Sequence, residues 1–444
     1  MITLHDVARW YQDKGLVGET RLALVQTVVA ISGKPMGFGI EAAAGSGKTA
    51  TMDLLIGDSG GEDTSLIYKK FVYFKDAGSQ TSLFYDAEVV NSKKIIAIKE
   101  LQKDKSDNMV EAIKSMTEGK SANRKVTDVA NDEVKSQRVE PKTVIYSLAV
   151  ENDMKPDTEL RRRCIVMSTD ISKEQTSKVL TAKARLRWDP ASAQIMSHEE
   201  SEEIRKTVNS LLSYKMTVMN PFAEKFVEAV AEVAPDQKVR SMAEHFWNVM
   251  EGVVKLNAYD GNHVHIFNKG ATTVIANIQD LLQTLIIYKE AFMRDVHSIP
   301  PMGDIVLRGF KDAVKVEATE KQPSSSSLAQ FGVSKGESRW VDVNHLRKAI
   351  KEFQKVNMAQ KLVLQVCRQL VDAGYLEDWK DGKELKFQVM DEFTEFENPD
   401  EKNLIEAARA LVEKKYPEKR SQWLESQYKS FTHPITGEEV TINA

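Results

Sequence analysis

The stretch GIEAAAGSGKTATMDLL, residues 39–55, decides how the chain is read. It closes a short apolar run, turns through small residues and meets Lys48 and Thr49 where a helical pattern begins. Small residues allow backbone N–H groups to turn inward onto phosphate oxygens. A lysine at that point reaches the outer phosphates, and the adjacent hydroxyl holds Mg²⁺. The helix that follows adds the positive end of its dipole. Ala44, Gly45, Ser46, Gly47, Lys48 and Thr49 are therefore the expected nucleotide-binding residues, with ATP as ligand and Thr49 on Mg²⁺. Ala42 stands where such loops usually have their first glycine. It falls at the strand exit, before the tight part of the turn, where a methyl group is tolerated.

The rest of the chain is long enough to build on this loop. Its 444 residues suit two or three domains. Hydrophobic residues at 42% and charged residues at 28% are those of a globular protein. Two distant cysteines, Cys164 and Cys367, exclude a disulfide framework and a cysteine-rich zinc site, and suit a reducing compartment. No apolar run approaches the roughly 18 residues of a membrane span, and MITLHDVARWYQDKG lacks the shape of a signal peptide. A cytoplasmic protein with no membrane partner is expected. The net charge of −4 makes any nucleic-acid surface a local basic patch.

Residues 1–34 read as a helical segment, with TRLALVQTVVAISG ending at Gly33. Over 35–171, apolar runs at 36–42, 70–77, 93–101, 142–150 and 164–170 alternate with helical patterns such as SDNMVEAIKSMTEG. That alternation predicts an α/β core with a mostly parallel sheet. Residues 172–318 read as helical, apart from a possible short strand at HVHIF. Residues 319–336 read as a Ser-rich linker. Residues 337–392 show two helices and then a hairpin, a winged-helix pattern, and 393–444 a helical tail.

A hydrolytic site needs a carboxylate at the end of a neighbouring strand. Glu100 emerges from KKIIAIKEL at that point and is expected to orient the attacking water. Motors of this kind usually carry Asp-Glu there, and here the first position is Lys99, with Asp76 and Glu88 as fallback acids. Ser147 in the next strand is placed to touch the terminal phosphate or the water, with Asn152 as its alternative. Arg161, Arg162 and Arg163 precede the strand CIVMSTD, and an arginine can stabilise transition-state charge, often from a neighbouring subunit.

The order of phosphate loop, lone-Glu strand, helix with hairpin, TVIYS and then ELRRRCIVMSTDISKEQT resembles the AAA+ ATPases of phage and plasmid replication modules. It is also similar to the mini-chromosome maintenance helicases. The resemblance spans about residues 35–318 and implies an AAA+ P-loop NTPase core with a helical lid over 172–318. It makes Arg163 the arginine finger. It also makes Arg240, in VRSMAEHFWNVMEGVVKLNAY, the sensor-2 residue of the lid. Between Gly119 and Thr143, RKVTDV and EVKSQRV can pair around Ala130-Asn131-Asp132, resembling the hairpin with which ring helicases grip DNA. Arg124, Lys125, Lys135 and Arg138 would then meet phosphates without reading sequence. In the C-terminal pattern, Lys361, Gln365 and Arg368 recur at helical spacing and suit duplex DNA, while Asp372, Glu377, Asp378 and Asp381 suit a protein-docking module instead. His263 and His265 read as structural.

Together these imply a ring-forming, hexameric ATPase acting as a helicase or translocase on single-stranded or forked DNA, alongside a primase or other replication proteins. The alternative is an ATP-switched, origin-binding initiator without motor activity. A small-molecule phosphotransferase would leave the lid and winged helix without a role.

Overall fold

This computed structural model describes residues 2–442 apart from 43–44, 76–81, 102–106, 129–132, 150–157, 190–195, 234–238, 260, 269–270, 298, 301, 321–339, 382–383, 391–399 and 428. The chain starts with α1 (Leu4–Asp13), opened by a capping box between Thr3 and Asp6. It continues into α2 (Thr20–Ser32), which ends at Gly33 in the left-handed conformation (φ 69°). Twelve of the thirteen residues of α2 are buried, so it is a central core helix.

The expected phosphate loop runs between β1 (Gly37–Ala42) and α3 (Lys48–Ile56). Then come β2 (Val72–Lys75), the short α4 (Ser82–Tyr85) and α5 (Ala87–Ser92), β3 (Ile95–Ile98) and α6 (Asp107–Thr117). A hairpin of β4 (Ala122–Asp128) and β5 (Glu133–Val139) precedes β6 (Thr143–Ala149), α7 (Thr158–Arg163) and β7 (Cys164–Met167). β1, β2, β3, β6 and β7 form one parallel sheet in the order β2-β3-β6-β1-β7. This is the predicted α/β core. Ile96, Ile98, Val144, Tyr146 and Val166 pack on α5 and α6 on one face. Phe38, Ile40, Ala97, Ile145 and Ile165 meet α2 and the later helices on the other.

Beyond the sheet, α8 (Lys173–Trp188) is exposed along most of its length, and α9 (His198–Ser213) packs on α1 and α2. The stretch expected to be helical carries a second sheet, β8-β10-β9, made of β8 (Met216–Met219), β9 (Val264–Asn268) and β10 (Ala271–Ile275). Its helices are α10 (Ala223–Val233), α11 (Val239–Ala258) and α12 (Ile278–Val296). These helices share one continuous core with α1, α2 and the sheet.

α13 (Gly303–Glu320) belongs to a third core with α14 (Val343–Phe353) and α15 (Gln360–Asp372). Three antiparallel strands complete it in the order β11-β13-β12: β11 (Val341–Asp342), β12 (Leu376–Asp381) and β13 (Glu384–Val389). Val306 and Phe310 of α13 are buried with Leu346, Val363 and Phe387. In sequence, the Ser-rich stretch therefore falls after α13, the first helix of this core, and before β11. At the C-terminus, α16 (Glu401–Lys415) and α17 (Arg420–Ser426) are followed by a hairpin of β14 (Ser430–Thr432) and β15 (Glu439–Thr441). The expected helical tail thus ends in strands and docks on the main core. Trp423 is fully buried there and donates its indole N–H to the Ala276 carbonyl.

No helix among the described residues is long and apolar enough to cross a membrane.

Candidate functional site

β1 delivers the chain to the loop with Gly45 and Gly47 both left-handed, at φ 74° and 92°. A Cβ at either glycine would meet nothing within 4 Å, so it is the backbone conformation that calls for glycine there. The space beside them is what a phosphate chain needs. Gly47 is the N-cap of α3, and Lys48 is its first residue. Lys48 is buried, and its ammonium donates to the Ala42 carbonyl at 2.8 Å. The Ser46 hydroxyl is buried with no hydrogen-bond partner, and Thr49 is exposed at the first turn of α3. An unsatisfied buried hydroxyl, a lysine at the loop and amides at a helix N-terminus fit a triphosphate with its Mg²⁺. Ala44 lies outside the described residues.

Ala42 pairs with Ala149 of β6 and is fully buried, so the departure from glycine is absorbed inside the sheet. Its neighbour Glu41 is a buried carboxylate on the strand leading to the loop. A lone charge within an apolar run was the available signal for it.

Glu100 is exposed two residues beyond the end of β3. Only β6 separates β3 from β1, so Glu100 stands at the loop end of the sheet, about 10 Å across two strand spacings from β1. Lys99 turns its ammonium to Asp53 of α3 at 2.5 Å and to Asp58 at 3.0 Å. Burial works against its charge, but the hydrogen bonds to Asp53 and Asp58, with their negative charges, together outweigh burial and raise its pKa. The unexpected cation is thereby neutralised within its own chain.

Ser147, on β6, is bonded to the backbone on both sides of Glu100. Its hydroxyl donates to the Lys99 carbonyl, and its own carbonyl accepts from the Leu101 amide at 2.8 Å. Ser147 thus holds both neighbours of Glu100. Asp76 and Asn152 lie outside the described residues, and Glu88 is exposed on α5.

Arg163 lies at the other end of the sheet. It directly precedes Cys164, which pairs with Gly37 at the start of β1. Five residues of strand, about 16 Å, separate that edge from Ala42. Arg163 pairs with Glu159 at 2.5 Å and with Glu118 at 3.0 Å, while the more exposed Arg162 pairs with Glu159 at 2.7 Å. Hydrogen bonds from Arg162 and Arg163 pull the Glu159 carboxyl down to about 2. Arg240 is in the first turn of α11, with its side chain outside those described. One turn on, His245 is buried, and its ring meets the Arg163 backbone. Burial lowers its pKa to about 4, with that contact opposing the shift.

The β4–β5 hairpin forms as predicted, with its turn at 129–132 outside the described residues. Its register sets Arg124 opposite Gln137, Lys125 opposite Ser136, Val126 opposite Lys135 and Asn123 opposite Arg138. Strand alternation places Lys125 and Arg138 on one face, with Arg124 and Lys135 at positions of the other. Arg138 is also tied to Glu140 at 2.9 Å. On α15, Lys361 and Arg368 are both exposed, and Gln365 is half-buried. His263 is structural: its Nε2 lies 2.9 Å from Asp280 Oδ2, with both side chains fully buried.

Compared with known proteins, no family model matches the chain and no curated protein matches it significantly.

Proposed function

We propose that the chain is an AAA+-type ATPase that works on DNA, as a helicase or helicase-like translocase whose subunits share nucleotide sites around a ring. The observation that carries this reading is the turn from β1 into α3, with two left-handed glycines and Lys48 at the helix N-terminus. Lys48 and the loop amides hold the triphosphate, Thr49 holds Mg²⁺, and Glu100 orients the water. Bound Mg²⁺ neutralises charge on the outer phosphates. Arg163, about 16 Å from its own loop, serves a neighbour's nucleotide, as does Arg240. DNA passes the β4–β5 hairpin, and the module containing α13–α15 is a winged helix.

Lys48→Ala should abolish both ATP hydrolysis and strand displacement on forked DNA while leaving the fold intact by circular dichroism. Hydrolysis at the wild-type rate would refute the site. The exposed pair Lys361 and Arg368 on α15 favours a second reading, a duplex-binding initiator. Footprinting separates the two, because an initiator protects a defined sequence and a translocase does not.

A further inference from the structure

A cavity of about 540 Å³ opens at the edge of the sheet opposite the phosphate loop. Its walls come from the end of α2, the turn between α5 and β3, the entry to β6, the passage from α9 into β8, and α11. Six lysines line it: Lys34, Lys93, Lys94, Lys142, Lys215 and Lys255. No Asp or Glu is among its described lining residues.

Part of this charge is structural. Lys255 donates to the Ser32 carbonyl at the end of α2. Lys142 donates to the carbonyls of Asn91 and Lys93 at 3.2 and 2.9 Å, and Lys93 to that of Lys70 at 3.0 Å. Lys34 pairs with Glu251 at 3.0 Å. Three helix C-termini, at Ser32, Ser92 and Ser213, converge here. Each contributes at most about half a negative charge. Set against six ammonium groups, those ends, Glu251 and the nearby Glu140 charge leave about 2.5 positive charges uncompensated. Burial, with the repulsion of Lys94, lowers the pKa of Lys142, and burial lowers that of Lys255. The cluster is thus held against its own electrostatics. Lys94 and Lys215 are exposed at the rim.

We propose that this cavity is a second anion site that takes a run of closely spaced phosphates, as in an oligophosphate or the backbone of a single DNA strand. Its volume suits a ligand of nucleotide size, and several excess charges call for a polyanion. Hydroxyl and amide groups of Asn91, Ser213, Thr217 and Thr272 add neutral donors around the ammonium groups. The wall is also stitched to the root of the β4–β5 hairpin: Asn91 donates to the Arg138 carbonyl and accepts from the Glu140 amide, both at 2.9 Å. A strand following that hairpin would reach the cavity directly.

The test uses Lys48→Ala full-length protein, so that the phosphate loop does not compete, with tripolyphosphate and a 20-nucleotide oligo-dT (lengths chosen to span ~20 phosphates at most) as separate probes. Lys94→Glu with Lys215→Glu should weaken at least one probe tenfold or more. Lys402→Glu with Lys414→Glu, an equal charge change on exposed residues of α16, should not. Lys215→Ala, a milder change, should weaken the same probe two- to fivefold. An effect on tripolyphosphate alone identifies a small phosphate ligand, and one on oligo-dT alone identifies a strand track. Either supports the proposal. A parent that binds neither probe, or equal affinities in the rim variants and the parent, would overturn it.

Discussion

Lys99 occupies the position where an aspartate was expected, and its charge is spent on Asp53 and Asp58. An ion pair of this exposure contributes about 1 kcal/mol at most. Its effect is local geometry, because it ties the end of β3 to α3 and the loop after it. Ser147 acts on the same few atoms by gripping the residues on both sides of Glu100. Ser147→Ala leaves the Lys99 carbonyl without its donor and loosens Glu100. We expect kcat for ATP to fall about tenfold, with nucleotide affinity unchanged within about twofold, in steady-state and equilibrium titrations. Glu19 offers a separate test at this scale. Burial raises its pKa to about 7, against a hydrogen bond from the Asp170 amide and with help from the Asp170 charge. The folded state therefore binds this proton more tightly than the unfolded chain does. Its contribution to stability is present below about pH 4.5 and is lost as pH rises to about 7. Glu19→Gln keeps an oxygen for the Asp170 amide and removes the charge. It should raise stability at pH 8 by about 1–3 kcal/mol, and by little at pH 4, in urea unfolding.

At the scale of elements, α2 and α11 approach each other closely in the main core. A Cβ on Gly252 of α11 would stand 2.1 Å from the Val28 carbonyl oxygen of α2. Backbone cannot move aside as a side-chain end can. Gly252→Ala should destabilise the protein by about 3 kcal/mol, read as a lower Tm by calorimetry. Local signals located many elements, including the ends of α2 at Gly33 and α6 near Gly119, both at positive φ. They failed where packing decided. Ala271–Ile275 was read as part of a helical stretch, although its β-branched run pairs with both β8 and β9. The helix starts only at Ile278, after a capping box between Asn277 and Asp280. The Ser-rich stretch looked like a boundary because composition reports solvation. Composition carries no information that α13 packs back onto α14 and α15.

For the whole molecule, the two halves of the proposed catalytic site lie at opposite edges of one sheet. Lys48 and Glu100 are at the loop edge, and Arg163 is at the other, paired with Glu118 and Glu159. On the proposed reading, each subunit completes its site with a neighbour's arginine. Lys48→Ala and Arg163→Ala proteins, each inactive alone, should regain part of the ATPase activity when mixed, because some interfaces then pair an intact loop with an intact arginine. Protein that stays monomeric with ATP and DNA in analytical ultracentrifugation would refute the shared site.

The sequence by itself determined the glycine-rich turn into α3, the strands that carry it and the acid at the strand end. Those features depend on residues close along the chain: glycines that take positive φ, a lysine entering a helix, a carboxylate following an apolar run. The tertiary structure decided what those residues touch. It gave Lys99 its aspartates, turned Ser147 to the backbone beside Glu100, merged the N-terminal helices and the C-terminal end into one core, and gathered six lysines at three helix ends. Each of these contacts joins residues distant in sequence. They are set by packing and by the need to pair buried polar groups, which no local pattern records.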